Sequence, residues 1–118
     1  MATVHASVSD MLVTVKSREV QRGMFAEMRG DRTGAARHLL AAAHLELVLA
    51  EDYADAGQAE LAWRSQLSAA SCFWRAGQPA QAQELLTMWK QKYPIQEPTI
   101  QQVLAELERD YPTRRSDV

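Results

Sequence analysis

The stretch WRSQLSAASCFWRAGQPAQAQELLTMWKQKYP, residues 63–94, is a run of helix-forming residues interrupted once, at Ala76-Gly77-Gln78-Pro79, and stopped at Tyr93-Pro94. Glycine reaches the left-handed backbone region that ends a helix, and proline is tolerated in the first turn of the next, where its missing N–H costs nothing. The stretch therefore predicts helix, tight turn, helix. Small Ala70 and Ala82 let two antiparallel helices approach closely, Phe73 fills the space between them, and Pro94 stops the second helix.

The same punctuation divides the rest of the chain. Gly30-Asp31 with Gly34 marks a turn, Gly57-Gln58 another, and Tyr93–Pro98 and Tyr111-Pro112 the last two. The segments between are rich in Ala, Leu, Gln, Glu, Arg and Met, and none alternates apolar and polar residues as a half-buried strand does. The reading is an all-α fold of about five helices, near 9–29, 33–56, 59–76, 79–92 and 98–110. Residues 1–8 form a loose N-terminus, 9–112 a single helical-repeat domain, and 113–118 a frayed tail. Ser9 or Asp10 is expected to cap the first helix and Thr33 the second. The second helix is apolar almost all round between Leu39 and Ala50, with Glu46 its only charge, so it must touch neighbours on more than one side. The fifth carries one stripe, Ile100, Val103, Leu104, Leu107 and Tyr111, and suits a terminal helix with one face covered.

Two of the turns align. RGDRTGAARHLL (29–40) set against AGQPAQAQELL (76–86) matches Gly30 with Gly77, Ala35 with Ala82 and Leu39 with Leu86. This is an internal helix–turn–helix repeat. Over 63–94 the second copy resembles the tetratricopeptide repeat, through Ala70, Phe73, Gly77, Ala82, Leu86 and Pro94; the first copy matches less fully, over 16–43. Trp89 stands where that family has a small residue, Pro79 replaces an aromatic, and Ala26 takes the place of Phe73. The resemblance implies a right-handed array of antiparallel helix–turn–helix pairs with a terminal capping helix.

Arg29-Gly30-Asp31 spells the integrin-binding tripeptide, yet here Gly30 makes an inter-helix turn, Asp31 follows it in the solvated loop, and Arg29 ends a helix where a cation meets exposed carbonyls. Nothing else announces an extracellular protein. The N-terminus lacks the basic start and apolar core of a signal peptide, Cys72 is alone, and no asparagine is present to carry a glycan. These features point to a reducing, cytoplasmic home. LLAAAHLELVLA (39–50) is too short for a membrane span. With 13 Lys and Arg against 15 Asp and Glu, the net charge of −2 implies no general affinity for nucleic acid.

The sequence carries little chemistry. His38 and His44 are six residues apart and cannot chelate one metal as an i, i+4 pair does. His44, Glu51 and Asp55 share a face but read as a solvated acidic strip. Cys72, mid-helix beside Phe73, reads as a buried small hydrophobe. No nucleophile elbow, phosphate loop or paired-cysteine zinc pattern occurs, so no cofactor is implied and the chain is not read as an enzyme. Arg64 and Arg75, interleaved with Trp63 and Trp74, are the best nucleic-acid candidates, and too few.

What remains is protein recognition. The resemblance places the first and third helices on the inner side of the array. Projected residue by residue, that face carries Ser17, Val20, Met24, Glu27 and Met28 from the first copy, and Arg64, Leu67, Ser68, Ser71, Trp74 and Arg75 from the second. Flexible methionines, an apolar leucine, a tryptophan and charges of both signs suit a small module binding a peptide or helix of a partner. Met24, Met28 and Trp74 recur at helical spacing, and core packing is the commoner use for each taken singly. The alternatives are a self-associating homodimer, since two repeats bury little surface, or a non-catalytic accessory subunit of an enzyme complex.

Overall fold

Three chain reversals with the same hydrogen bonding organise the molecule. The computed structural model describes residues 8–112, in which five α-helices follow one another: α1 (Val8–Met28), α2 (Arg32–Asp55), α3 (Ala59–Arg75), α4 (Pro79–Lys92) and α5 (Glu97–Asp110). A 3-10 turn, Pro94–Gln96, leads into α5, and no strand occurs among the described residues.

At each of the first three connections a glycine takes positive φ: +78° at Gly30, +76° at Gly57 and +86° at Gly77. Its N–H donates to the carbonyl three residues back, on Glu27, Ala54 or Trp74, at 3.0 Å. The next N–H donates five residues back, to Ala26, Tyr53 or Phe73, at 2.8–2.9 Å. These are the two bonds of a Schellman motif, which satisfies carbonyls that a helix end leaves without partners. The residue after each glycine also begins the next helix. The carbonyls of Asp31, Gln58 and Gln78 accept from the N–H groups of Ala35, Ala62 and Ala82. All three alanines are buried. The turn unit therefore occurs three times rather than twice: GQAELA (57–62) belongs with GDRTGA (30–35) and GQPAQA (77–82).

The cap of α2 is Asp31, not Thr33. Its Oδ1 accepts from the Gly34 N–H at 2.9 Å, and its carboxylate occupies the space that a Cβ on Gly34 would need. The acidic residue of Arg-Gly-Asp is thus turned onto its own backbone. Ser9 and Asp10 do not cap α1, because the helix already runs from Val8. The tail over 113–118 and the N-terminal segment up to residue 7 lie outside the described residues.

Helix α2 lies between α1 and α3, α4 packs on α3, and α5 touches both α3 and α4. Small side chains line these contacts. Ala42, Ala43, Ala69, Ala70 and Ala82 are wholly buried, in one cluster with Phe73, Trp74, Leu85, Leu86, Ile100 and Leu107. Phe73 fills the gap that the alanines leave, with the His44 ring edge-on to it at 5.3 Å. The first hairpin solves the same problem without an aromatic. Gly23 and Ala26 are buried, and a Cβ on Gly23 would stand 2.9 Å from Leu39 Cγ. Leu39 rests on bare α1 backbone, which is why Ala26 suffices where the second copy needs Phe73.

Polar ties supplement this thin apolar contact between α1 and α2. Ser9 Oγ donates to Asp52 Oδ2 (3.3 Å), Lys16 Nζ lies 3.5 Å from buried Glu46, and His38 Nδ1 is 2.9 Å from Glu19 Oε1. The His38 hydrogen bond holds the Glu19 carboxyl below its ordinary 4.5, against the opposing effect of partial burial and with help from the His38 and Arg22 charges.

Two outcomes are expected. Asp31→Ala removes the α2 cap and should lower unfolding free energy by about 1 kcal/mol in denaturant titration. Because Glu19 titrates lower when folded, its stabilisation is complete above the ordinary carboxylate pKa and is lost as pH falls through the depressed folded value. Glu19→Gln should therefore lose less stability than wild type between about pH 6 and about pH 3.

Candidate functional site

Because α2 is the middle helix, α1 and α3 stand on either side of it and leave a groove. Its walls are Lys16 and Val20 from α1 and Leu67, Ser68, Ser71 and Arg75 from α3; Glu46 of α2 and Cys72 complete it, around about 350 Å³. Two neighbouring hollows continue it. One, of about 230 Å³, runs between α3 and α5 past Ser71, Arg75, Val103, Glu106, Asp110 and Tyr111. The other, about 790 Å³ and shallow, lies at the turn end beside Glu27, Gly30, Arg32, Arg75 and Gly77.

Arg75 borders all three. Its Nη2 donates to Glu27 Oε1 at 3.0 Å, joining the first repeat to the second, and its guanidinium lies 5.1 Å from the Tyr111 ring centroid. Its Nε is buried without a hydrogen-bond partner among the described residues. Cations of this kind fix orientation, while Val20 and Leu67, both half-buried against the core, supply apolar surface. Lys16 adds a second cation, already engaged by Glu46. The matched inner positions contain no lysine, but Lys16, next to Ser17 and one turn before Val20, does line the groove.

The expected site residues divide. Glu27, Leu67, Ser71 and Arg75 come together around the groove system. Met24 and Met28 stand exposed on α1, at 46% and 79%, and line none of the three hollows. Arg64 is exposed beyond the groove and pairs with Glu60 at 3.2 Å. Trp74 belongs to the core: it is 4% exposed, and its indole N–H donates to the Tyr111 carbonyl at 2.7 Å, tying α3 to the end of α5. It therefore presents no surface to a partner in this conformation.

The remaining candidates also have local explanations. Trp63 packs against Trp89 with the ring planes tilted by 53°, rather than joining Trp74, so the two arginines and two tryptophans of α3 do not form one platform. Burial pushes the Cys72 thiol up to about 11, against the nearby Arg75 charge, so little thiolate exists at neutral pH. Among the described residues no group of His, Cys, Asp and Glu is arranged to hold a metal ion. No described helix is long and apolar enough to cross a membrane.

Comparison with protein-family models, with curated proteins and with solved structures finds no match to this chain.

Proposed function

We propose that the chain is a small protein-interaction module, a tetratricopeptide-like right-handed array of two helical hairpins capped by α5. It holds an extended or helical segment of a partner along the face lined by α1 and α3. The observation that carries this reading is the groove, with half-buried Val20 and Leu67 flanked by Ser68, Ser71 and Arg75. Apolar side chains beside a few fixed polar groups are what a peptide site needs for affinity and register. The three equal turns and the alanine-lined helix contacts support the repeat architecture.

A second reading, self-association, rests on a different observation. The α1 backbone approaches α2 alone, and α1 leaves Val8, Met11, Val15, Phe25 and Met28 exposed. Exposed apolar side chains along one edge helix suit burial against a second copy. Light scattering separates the two: a monomer of 13.2 kDa leaves the module alone standing, and twice that mass supports the dimer.

Peptides selected from a random library against the folded protein should perturb backbone NMR signals at Val20, Leu67, Ser71 and Arg75. Leu67→Glu and Ser71→Arg, each with unchanged helical circular dichroism, should weaken such peptides at least about tenfold, as expected where a buried contact centre is lost. Selected peptides that map elsewhere, or that bind both variants as well as wild type, would contradict the groove assignment.

A further inference from the structure

A second cavity, of about 490 Å³, is bounded by the end of α2, the start of α3 and the end of α4, and no residue of α1 lines it. Its wall is an aromatic ladder. Trp63 and Trp89 lie 5.1 Å apart between centroids, and Trp89 stacks on Tyr93 at 4.6 Å with planes only 19° apart. The faces of such rings carry negative potential and attract cations. The chain's own Lys92 already responds to it, with Nζ 5.8 Å from the Trp89 centroid and 5.6 Å from that of Tyr93.

Two acceptors at this cavity are unspent. Glu51 lines it and has no ion-pair or hydrogen-bond partner among the described residues, whereas its neighbour Glu60 is engaged by Arg64. Gln66 Oε1 is buried and accepts no hydrogen bond from the described residues. An enclosed acceptor without a donor is unfavourable, so a ligand supplying an N–H would gain more there than at the surface. Aromatic faces, a carboxylate and a hidden carbonyl together call for a flat cation with several donors. A guanidinium meets all three demands: it stacks on rings, is weakly hydrated, and presents N–H groups in a fixed fork. An ammonium offers a compact, strongly hydrated charge, and an anion would meet Glu51 and the ring faces.

We infer that this cavity receives an arginine side chain of a partner peptide, stacked on the Trp63–Trp89–Tyr93 ladder and paired with Glu51, with the Gln66 amide turning to bring its enclosed Oε1 to the guanidinium. This site goes beyond the groove between α1 and α3 and does not depend on it. Lys92 is then a resident competitor, to be displaced when the arginine enters. That role gives the proposal a sign. Removing Lys92 should strengthen binding of a cation, whereas the same change would destroy a site built for an anion.

The three tryptophans provide the reporters. Indole N–H signals of Trp63 and Trp89 flank the cavity, and that of Trp74, held by the Tyr111 carbonyl, is the internal control. The probes are capped pentapeptides Gly-Gly-X-Gly-Gly with X as arginine, lysine, neutral citrulline or glutamate. The arginine peptide should move the Trp63 and Trp89 signals and leave Trp74 in place. Citrulline, of nearly the same shape, should bind at least about tenfold more weakly, as loss of a charged partner implies. Glu51→Gln should weaken the arginine peptide about threefold to tenfold, and Lys92→Met should tighten it about threefold. Both substitutions are at exposed positions, so folding is preserved. The inference is overturned if citrulline binds as well as arginine, if Lys92→Met weakens the arginine peptide, if the glutamate peptide is preferred, or if no peptide moves the two indole signals. Because the groove is read at Leu67 and Ser71, its failure and the failure of this site are separate results.

Discussion

Close helix approach through alanine is the constraint on which the rest depends. Ala42 and Ala43 on α2, Ala69 and Ala70 on α3 and Ala82 on α4 are sealed from solvent in one cluster. Methyl-sized contacts bring backbones near, and the larger side chains, Phe73 and Leu86 above all, then fill what is left. The first hairpin carries this further, with Leu39 against Gly23. Each turn is tuned to the same geometry, since a left-handed glycine and an alanine five residues later bring one helix end beside the next helix start. The groove follows from it. With α2 held close to both neighbours, α1 and α3 become walls rather than a second layer.

Polar side chains complete what alanine leaves weak. The interface of α1 with α2 contains little apolar bulk, and Lys16–Glu46, His38–Glu19 and Ser9–Asp52 run along it. Glu46 is the clearest case, a carboxylate only 5% exposed with Lys16 Nζ 3.5 Å away as its partner. Arg75 has the corresponding place on the other wall, where it joins Glu27 and Tyr111. The groove is thus bordered by charges already held in position, which suits recognition better than free side chains do.

Much of the fold was legible because its determinants are local. Glycines at 30, 57 and 77, and Pro79 and Pro94, mark helix ends within a few residues of themselves, and the five helices lie within about two residues of their expected bounds. Asp31 and Thr33 are both good capping residues, and only the backbone path decides between them. The site was half legible. Helical projection brings Glu27, Leu67, Ser71 and Arg75 to one face. Trp74 shares that projection, but its fate depends on Tyr111, 37 residues away, and on α5 folding back across α3. The aromatic ladder needed the pairing of α3 with α4; its only trace in the sequence was Trp89, standing where the repeat pattern has a small residue.

The most direct test of the account is the stability of Ala70→Leu, measured by denaturant unfolding beside Ala105→Leu on the exposed face of α5. If helix approach through small residues organises the molecule, the added bulk at Ala70 should cost about 1–3 kcal/mol or more, while Ala105→Leu stays within about 0.5 kcal/mol of wild type. Equal stability of the two variants would contradict it, because the helices would then have room that the alanine cluster denies them.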